Sequence, residues 1–293
     1  MKKMRILLTG KSGQVGYELE RSLQPCGEVI ALDRKGMDLA DLARVRDVIR
    51  SVKPDLIINP AAYTAVDKAE TEPDLAMRIN GEAPGVMAEE ARKIGAAMIH
   101  YSTDYVFDGS KATPYTEDDP TCPINVYGSS KLAGEQAIRA ADIPHLILRT
   151  SWVYGLRGKN FLLTIMRLAQ ERDELRIVSD QHGAPTWCRT IADATAAIVT
   201  QTVSAEDTEA WWRLHSGLYH LTAQGRTTWY GFAKAVLEHP SVTSTSAVIP
   251  IESSEYPVPA RRPANSVMSG KRLMKTFCEL PTWDSALKLC QDR

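Results

Sequence analysis

The chain has 293 residues, enough for one large domain or for an ordinary domain plus a smaller one, each with a hydrophobic core. Its 35 Lys and Arg balance 36 Asp and Glu to a formal charge of -1, so no global field attracts nucleic acid or an anionic membrane. No apolar run approaches membrane-spanning length, and a small-molecule partner is therefore favoured.

The first residues of the chain and the spacing of its cysteines both favour the cytoplasm as the compartment. The basic residues 1–5 are followed by an apolar run of residues 6–8 only, which is too short for the core of a signal peptide. The five cysteines are scattered rather than closely paired: Cys26, Cys122, Cys188, Cys278 and Cys290. This spacing suits neither a zinc site nor a disulfide scaffold. We therefore expect reduced thiols and a cytoplasmic protein.

Short apolar runs alternate with amphipathic stretches through the first half of the chain. Strands are predicted at residues 5–8, 28–32, 56–59, 97–101 and 145–149, and helices at 13–23, 40–52, 73–94 and 126–140. The strands are apolar without alternation, which is typical of strands that are buried on both faces. The pattern predicts an α/β fold with a Rossmann-type doubly wound parallel sheet over residues 1–150.

The alternation loosens after residue 150. Helices are predicted at 160–172, 189–202 and 229–239, and short strands at 176–178 and 218–221, with Pro- and Gly-containing loops between them. Residues 151–293 are therefore expected to form mainly a smaller substrate domain, with some segments returning to the Rossmann domain. Residues 250–265 carry four prolines and are expected to be an extended loop.

A glycine-rich turn follows the first predicted strand. Gly10, Gly13 and Gly16 are spaced Gly-x-x-Gly-x-x-Gly, not Gly-x-Gly-x-x-Gly as in the standard dinucleotide fingerprint. A helix that begins here, through Gln14 and Val15, would direct backbone N–H groups and the positive end of its dipole at a diphosphate. The turn predicts a dinucleotide site, and an ordinary strand-to-helix turn is the alternative.

The end of the second predicted strand carries both an acid and cations. Asp33 lies about twenty residues beyond the glycines, where a carboxylate holds an adenosine ribose diol. Arg34 and Lys35 follow, and cations suit the 2′-phosphate of NADP. A solvated turn is the alternative for these two residues. The sequence is therefore compatible with NADH and with NADPH.

Further cofactor contacts are predicted after the second and third strands. Asp38 and Leu39 are expected near the adenine. Ala61 and Ala62 supply small side chains where the backbone must pass close to a cofactor, and Tyr63 is assigned to the same loop.

Tyr127 and Lys131 stand four residues apart, so a helix through them sets a phenol beside an ammonium on one face. A free tyrosine titrates near ~10, and a fixed cation favours the phenolate and brings it toward working range. This pair predicts proton transfer, although the same spacing also arises by chance in surface helices.

The glycine turn together with Tyr127-x-x-x-Lys131 resembles the extended short-chain dehydrogenase/reductase superfamily. Longer segments resemble the dTDP-4-dehydrorhamnose reductase family in particular: AAYTAVDKAE at 61–70, YSTDYVFDG at 101–109, RTSWVYG at 149–155, DQHGAPT at 180–186 and RPANS at 262–266. The segments span most of the chain.

The resemblance implies hydride transfer from NADPH or NADH to the 4-keto carbon of dTDP-4-dehydro-L-rhamnose, which gives dTDP-L-rhamnose for polysaccharide biosynthesis. Tyr127 would protonate the developing alkoxide, and Lys131 would hold the nicotinamide ribose and lower the tyrosine pKa. Thr103 would hydrogen-bond the carbonyl oxygen; a hydroxyl that caps the loop is the alternative.

The resemblance also implies a substrate site. Asp104 and Tyr105 would face the sugar or organise its pocket. Related sugar-nucleotide dehydratases carry Asp-Glu there, so the missing glutamate favours reduction. Trp152 would contact the substrate or form interface core, and Arg262 would bind the substrate diphosphate through its guanidinium fork.

Magnesium is doubtful in this chain. Some members of the family bind magnesium through acids at a dimer interface, and Glu18 and Asp193 match two of those positions. Arg189 stands where those members carry glutamate, and a cation there would repel the ion. The sequence is compatible with a homodimer.

Two further functions remain open from sequence. A relative of this family is a non-catalytic, dinucleotide-binding regulatory subunit of methionine adenosyltransferase, and the intact Thr103, Tyr127 and Lys131 argue against that role. A 4-epimerase, or a reductase of another dTDP-4-keto sugar, keeps the same scaffold, which hosts many chemistries.

Overall fold

The computed structural model describes residues 3–243 and 245–292. Its strands are β1 (Arg5–Leu8), β2 (Glu28–Ala31), β3 (Leu56–Asn59), β4 (Ala97–Thr103), β5 (His145–Thr150), β6 (Val153–Tyr154), β7 (Glu174–Val178), β8 (His182–Gly183), β9 (Thr186–Trp187), β10 (Gly217–His220), β11 (Thr227–Thr228) and β12 (Ala247–Ile251). Its α-helices are α1 (Gln14–Ser22), α2 (Leu42–Val52), α3 (Val66–Ala69), α4 (Pro73–Met77), α5 (Ala83–Ile94), α6 (Val126–Ala140), α7 (Phe161–Glu171), α8 (Cys188–Ser204), α9 (Thr208–His215), α10 (Trp229–Leu237), α11 (Lys271–Thr276) and α12 (Trp283–Gln291).

Six parallel strands form the central sheet, in the order β10-β5-β4-β3-β1-β2. The chain runs from β1 outward to β2 and then returns to β3 on the other side of β1. The strand order therefore reverses between β1 and β3, and a ligand crevice is expected outside the carboxyl ends of these strands. The predicted Rossmann-type α/β fold is confirmed.

Helices cover both faces of the sheet because successive strand residues point to opposite sides. Ile6 and Leu8 pack in a cluster with α1 and α8, whereas Leu7 and Ile57 pack with α2, α5 and α6. Helix α8 and strand β10 both come from the second half of the chain. Within the described ranges, no helix is both long and apolar enough to cross a lipid bilayer.

A third hydrophobic cluster lies in the second half of the chain. It joins α7, α10 and α12 around the fully buried Tyr154 and Phe232. The predicted loop 250–265 is wrong at its start, because Pro250 lies in β12, which pairs in parallel with β7. Those two strands form a sheet of their own, and a proline, which lacks an N–H donor, is tolerated at a sheet edge.

The predicted helix 73–94 is interrupted by a π-helical turn, Arg78–Glu82, between α4 and α5. Asn80 lies in this turn, and its side chain accepts a hydrogen bond from the Tyr63 N–H at 2.8 Å and donates one to the Tyr63 carbonyl at 3.0 Å. The turn thus fixes the loop after β3, where the ligand crevice is expected.

Candidate active site

A cleft of about 670 Å³ opens at the carboxyl ends of β1 and β3. The predicted cofactor residues on its wall are Gly10, Gly13, Gln14, Val15, Gly16, Arg34, Asp38, Leu39, Ala61, Ala62, Tyr63, Tyr127 and Lys131. The glycine turn and the Tyr-Lys pair, more than a hundred residues apart in sequence, therefore share one cleft.

The glycine turn is shaped for close approach by a ligand. Gly10 has a φ of 60°, and a Cβ on Gly16 would lie 2.1 Å from the Gly10 carbonyl oxygen. A Cβ on Gly13 would meet only that oxygen, at 3.3 Å, and would fill the cradle. The N-cap of helix α1 is Gly13, which has no side chain to cap the helix, so the first N–H groups of α1 stay available to a phosphate. The turn fits a dinucleotide diphosphate.

The acid predicted for the adenosine ribose is not on the cleft wall. Asp33 Oδ1 accepts hydrogen bonds from the N–H groups of Lys35 at 3.0 Å and Gly36 at 3.1 Å. These hydrogen bonds hold the Asp33 pKa below its usual range, and the bond from Gly36 is the largest cause. Arg34 reaches the wall instead, with Nε 3.1 Å from Asp38 Oδ2. The wall therefore presents the paired side chains of Arg34 and Asp38, an acid and a cation together.

Helix α6 positions the Tyr-Lys pair. Its N-cap, Asn125, accepts the Gly128 N–H through Oδ1 at 2.8 Å, which starts the helix one residue before Tyr127. Lys131 is only 2% exposed, and its Nζ donates to the Tyr101 carbonyl at 2.6 Å. Burial lowers the Lys131 pKa to about 8, opposed by the charge of Glu135.

The predicted lowering of the Tyr127 pKa by Lys131 is wrong for this structure. Desolvation raises the Tyr127 pKa to about 12, a hydrogen bond with Thr103 opposes the rise, and the charge of Asp104 adds to it. Lys131 does not offset the desolvation because its Nζ is directed to Tyr101. The phenol is consequently protonated at neutral pH, the state that a proton donor needs.

Thr103 ends β4 beside the phenol. Its Oγ1 donates to Asp104 Oδ1 at 3.0 Å and accepts the Tyr105 N–H at 3.2 Å, so the hydroxyl caps the short 3₁₀ helix Asp104–Val106. Burial raises the pKa of Asp104 to about 6. The Tyr105 ring meets the Tyr127 ring edge-on at 5.9 Å. These three predicted substrate residues therefore surround Tyr127, although they lie off the cleft wall.

Arg262 joins this group through Tyr105. Its guanidinium lies 5.7 Å from the centre of the Tyr105 ring, and Nη2 lies 2.9 Å from Asp67 Oδ2. Asp67 also accepts the Ala260 N–H at 3.2 Å, which anchors the loop that carries Arg262. Asp67 thus fixes the position of a guanidinium near Tyr127, a role that the sequence did not indicate.

Trp152 lies in a second aromatic group. It stacks on Trp229 with ring centres 3.5 Å apart and planes 6° apart. A Cβ on Gly183 would lie 2.3 Å from the Trp152 ring, so the glycine leaves room for the indole. Trp152 has a φ of 47°, which is costly for a bulky side chain. Trp229 escaped the sequence analysis because it falls outside every recognised segment.

The sequence also did not single out these residues of the cleft wall: Ser12, Met37, Pro60, Thr64, Ala65, Lys68, Ile79, Tyr101, Ser102, Thr150, Val153, Gly158 and Lys159. The last two lie in the loop before α7. Asn160, the N-cap of α7, donates through Nδ2 to Gln14 Oε1 at 2.7 Å, which holds this loop against the glycine turn. No sequence signal marks a loop that reaches the cleft through tertiary contacts.

The two acids considered for magnesium, Glu18 and Asp193, both pair with Arg189. Among the described residues, no group of three His, Cys, Asp or Glu is placed to hold a metal ion. The donor set therefore does not fit a cation at this position.

Comparison with known proteins identifies the family. The family model described as the RmlD substrate binding domain matches residues 4–293. The dTDP-4-dehydrorhamnose reductase of Burkholderia thailandensis is 48% identical over 294 residues that cover 98% of each chain. The reductase of Escherichia coli K12 is 44% identical and covers 97% of this chain and 96% of the relative. The chain belongs to the dTDP-4-dehydrorhamnose reductase family.

Solved structures agree with this assignment. The dTDP-4-dehydrorhamnose reductase of Bacillus anthracis, in complex with NADP, matches with a TM-score of 0.89 and 34% identity over 99% of each chain. A dTDP-4-dehydrorhamnose reductase of Clostridium acetobutylicum matches with the same TM-score and 36% identity over 99% of each chain. The resemblance of the sequence to the dTDP-4-dehydrorhamnose reductase family is confirmed.

Proposed function

We propose that the protein reduces the 4-keto group of dTDP-4-dehydro-L-rhamnose to give dTDP-L-rhamnose, with NADPH or NADH as reductant. The observation that carries the proposal is the position of Tyr127 and Lys131 on the same cleft wall as the glycine turn. Reductases that are 44–48% identical over nearly the whole chain support the choice of substrate.

We assign residues of the cleft to each part of the dinucleotide. The N–H groups at the start of α1 would bind the diphosphate, and Arg34 and Asp38 would bind the adenosine end. Lys131 would hold the nicotinamide ribose hydroxyls. When bound, the nicotinamide supplies the hydride. Tyr127 then gives its phenolic proton to the alkoxide, so that one hydride and one proton convert the ketone to an alcohol.

The sugar nucleotide would lie on the other side of Tyr127. Asp104 and Tyr105 are proposed to contact the sugar, with the Thr103 hydroxyl near its carbonyl oxygen. Arg262 is proposed to bind the substrate diphosphate. Trp152, held by Trp229, would supply an aromatic wall to the substrate pocket.

The arrangement of the second half of the chain also supports separate cofactor-binding and substrate-binding parts. We assign residues 1–150 to cofactor binding and residues 151–293 mainly to the substrate, with α8 and β10 returning to the central sheet. The third hydrophobic cluster gives the substrate part a core of its own. We further propose that the protein works in the cytoplasm, as a homodimer that does not depend on magnesium.

The test supplies purified protein with dTDP-4-dehydro-L-rhamnose and each reduced cofactor, and follows the absorbance of the reduced nicotinamide. Oxidation with formation of dTDP-L-rhamnose, identified by NMR, is expected. Cofactor binding without oxidation would instead indicate the regulatory-subunit type. Formation of the 4-epimeric alcohol, or interconversion of sugars without net oxidation, would contradict the proposed stereochemistry or reaction.

A further inference from the structure

A buried line of polar side chains runs from the end of β1 to Lys131, behind the cleft wall. Thr9, Asn59 and His100 are at most 1% exposed. Asn59 Nδ2 lies 3.0 Å from His100 Nδ1, and His100 Nε2 lies 3.1 Å from Lys131 Nζ. The mechanism proposed above uses only the last residue of this line.

The direction of the hydrogen bonds follows from Thr9. The Ala61 N–H donates to Thr9 Oγ1 at 3.3 Å, so the hydroxyl proton is free to go to Asn59 Oδ1 at 2.6 Å. The Asn59 amide then turns its N–H to His100 Nδ1. The opposite orientation of the amide would make Thr9 Oγ1 accept from both the Ala61 N–H and Asn59 Nδ2, and the hydrogen bonds of the described residues give the hydroxyl proton no other acceptor. A neutral imidazole that accepts at Nδ1 carries its proton on Nε2.

The proton on Nε2 points at Lys131. Burial, followed by the charge of Lys131, holds the His100 pKa well below its usual range, so the ring is neutral. An uncharged amine can accept the Nε2–H bond through its lone pair. An ammonium has three donors and no acceptor, so it meets the same N–H unfavourably.

We propose that His100 is a positioning residue that fixes Lys131 Nζ in the cleft wall and disfavours its ammonium form. Thr9 and Asn59 set the orientation of the imidazole, and His100 passes this orientation to Nζ. The inference deepens the proposed function, because it concerns the residue assigned to the nicotinamide ribose. It makes the hydrogen-bond state of Lys131 depend on loops after β1 and β3.

The other charged and titratable groups around Lys131 do not provide this control. Those that face Lys131 or its neighbour Tyr127 are Glu135, Arg149, Asp104 and Tyr105, together with Tyr127 itself. Glu135 favours the ammonium, but Arg149 binds both of its oxygens, at 2.9 and 2.7 Å. The carboxylate charge is therefore already compensated, and His100 is the side chain in hydrogen-bond contact with Nζ.

The first test compares two substitutions with a control in the reductase assay. His100→Gln can turn an amide oxygen to Nζ, which stabilises the ammonium, so the alkaline limb of kcat/KM should move up by about half a pH unit or more. His100→Asn can keep the hydrogen bond with Asn59 but is too short to reach Lys131 Nζ. The KM for the cofactor should therefore rise severalfold. Met98→Leu, two residues earlier on the same strand face, should leave both unchanged. The proposal would be overturned if both His100 variants had the same alkaline limb of kcat/KM and the same cofactor KM as wild type.

The second test needs no activity and therefore separates this inference from the proposed function. Nitrogen-15 spectra of histidine-labelled wild-type protein should show His100 with its proton on Nε2 and no titration down to pH 5. Asn59→Leu should mix the two tautomers. A proton on Nδ1, or a charged ring at pH 6, would overturn the inference even if the reductase assay succeeds.

Discussion

Arg189 Nη1 lies 3.2 Å from Glu18 Oε2, and its Nε lies 3.0 Å from both oxygens of Asp193. One guanidinium thus bridges α1 and α8 on the sheet face that these helices cover. The two acids that could attract a divalent cation are already paired within one chain.

Magnesium should therefore have no effect on assembly. We expect the molar mass in solution and the melting temperature to be the same in excess magnesium and in EDTA. Arg189→Glu should create a cation site, so the melting temperature of this variant should rise when magnesium is added. Arg167→Glu, which breaks a similar pair with Glu171 on α7, is the control and should show no such response. A wild-type mass that changes with EDTA would contradict this account.

Tyr127→Phe should remove the proton donor and little else. We expect kcat to fall by roughly 10²–10⁴-fold, the usual contribution of a positioned acid, with the cofactor Kd nearly unchanged. Steady-state kinetics and cofactor titration measure the two quantities. Tyr230→Phe removes a hydroxyl on α10, away from the cleft wall, and serves as the control. An unchanged rate in Tyr127→Phe would assign the proton to another group.

Arg34 should set the response to the 2′-phosphate. The wild-type kcat/KM values for NADPH and NADH should differ by less than about a thousandfold, or roughly 4 kcal/mol. Arg34→Ala should lower kcat/KM for NADPH about tenfold and leave the value for NADH within about threefold, because one charge-assisted contact is lost. Lys35→Ala is the matched control, since Lys35 is exposed and lies off the wall. Equal losses with both cofactors would exclude a role at the 2′-phosphate.

Trp229 should act on the substrate through Trp152. Removing the stack in Trp229→Ala is expected to raise KM for the sugar nucleotide roughly threefold to tenfold, as the loss of about 0.5–1.5 kcal/mol of aromatic pairing implies. The cofactor KM should not change. Trp211→Ala breaks an unrelated stack with His215 and provides the comparison. If the two variants behave alike, the effect is one of general stability.

Asp104 should make stability depend on pH. Its pKa rises from 3.8 to about 6 on folding, so the folded protein prefers the protonated acid. The penalty is absent below pH 3.8 and complete above about pH 6. Two pKa units correspond to roughly 3 kcal/mol. Urea unfolding should therefore show Asp104→Asn gaining up to about 3 kcal/mol on wild type between pH 4 and pH 7.

The matched variant for this experiment is Asp108→Asn. The N–H of Ser110 is the main cause that holds the Asp108 pKa below its usual range, so ionisation of this carboxyl stabilises the fold as pH rises toward 3.8. The Asp108 variant should therefore lose stability relative to wild type as pH rises toward about 4, and the difference between the two should stay nearly constant between pH 4 and pH 7. Parallel curves for the two variants would show that burial does not perturb Asp104.

The sequence predicted those features that local chemistry determines. The strand, glycine turn and helix start around Gly10 follow from φ preferences and the apolar pattern, and the structure places them as expected. Asp33 remains a predicted ribose contact, and the sequence did not show that its Oδ1 would accept the N–H groups of Lys35 and Gly36. His100 and Trp229 could not be predicted, because each is defined by a partner more than thirty residues away.

The bond between Gln14 and Asn160 joins the cofactor turn to the helix that begins the third hydrophobic cluster. We therefore expect a ligand that shifts the glycine turn to act on α7 through this amide pair, alongside the contact of Arg189 with Glu18. Thermodynamic linkage would then require a ligand bound at α7 to change the affinity of the glycine turn for its own ligand by the same factor.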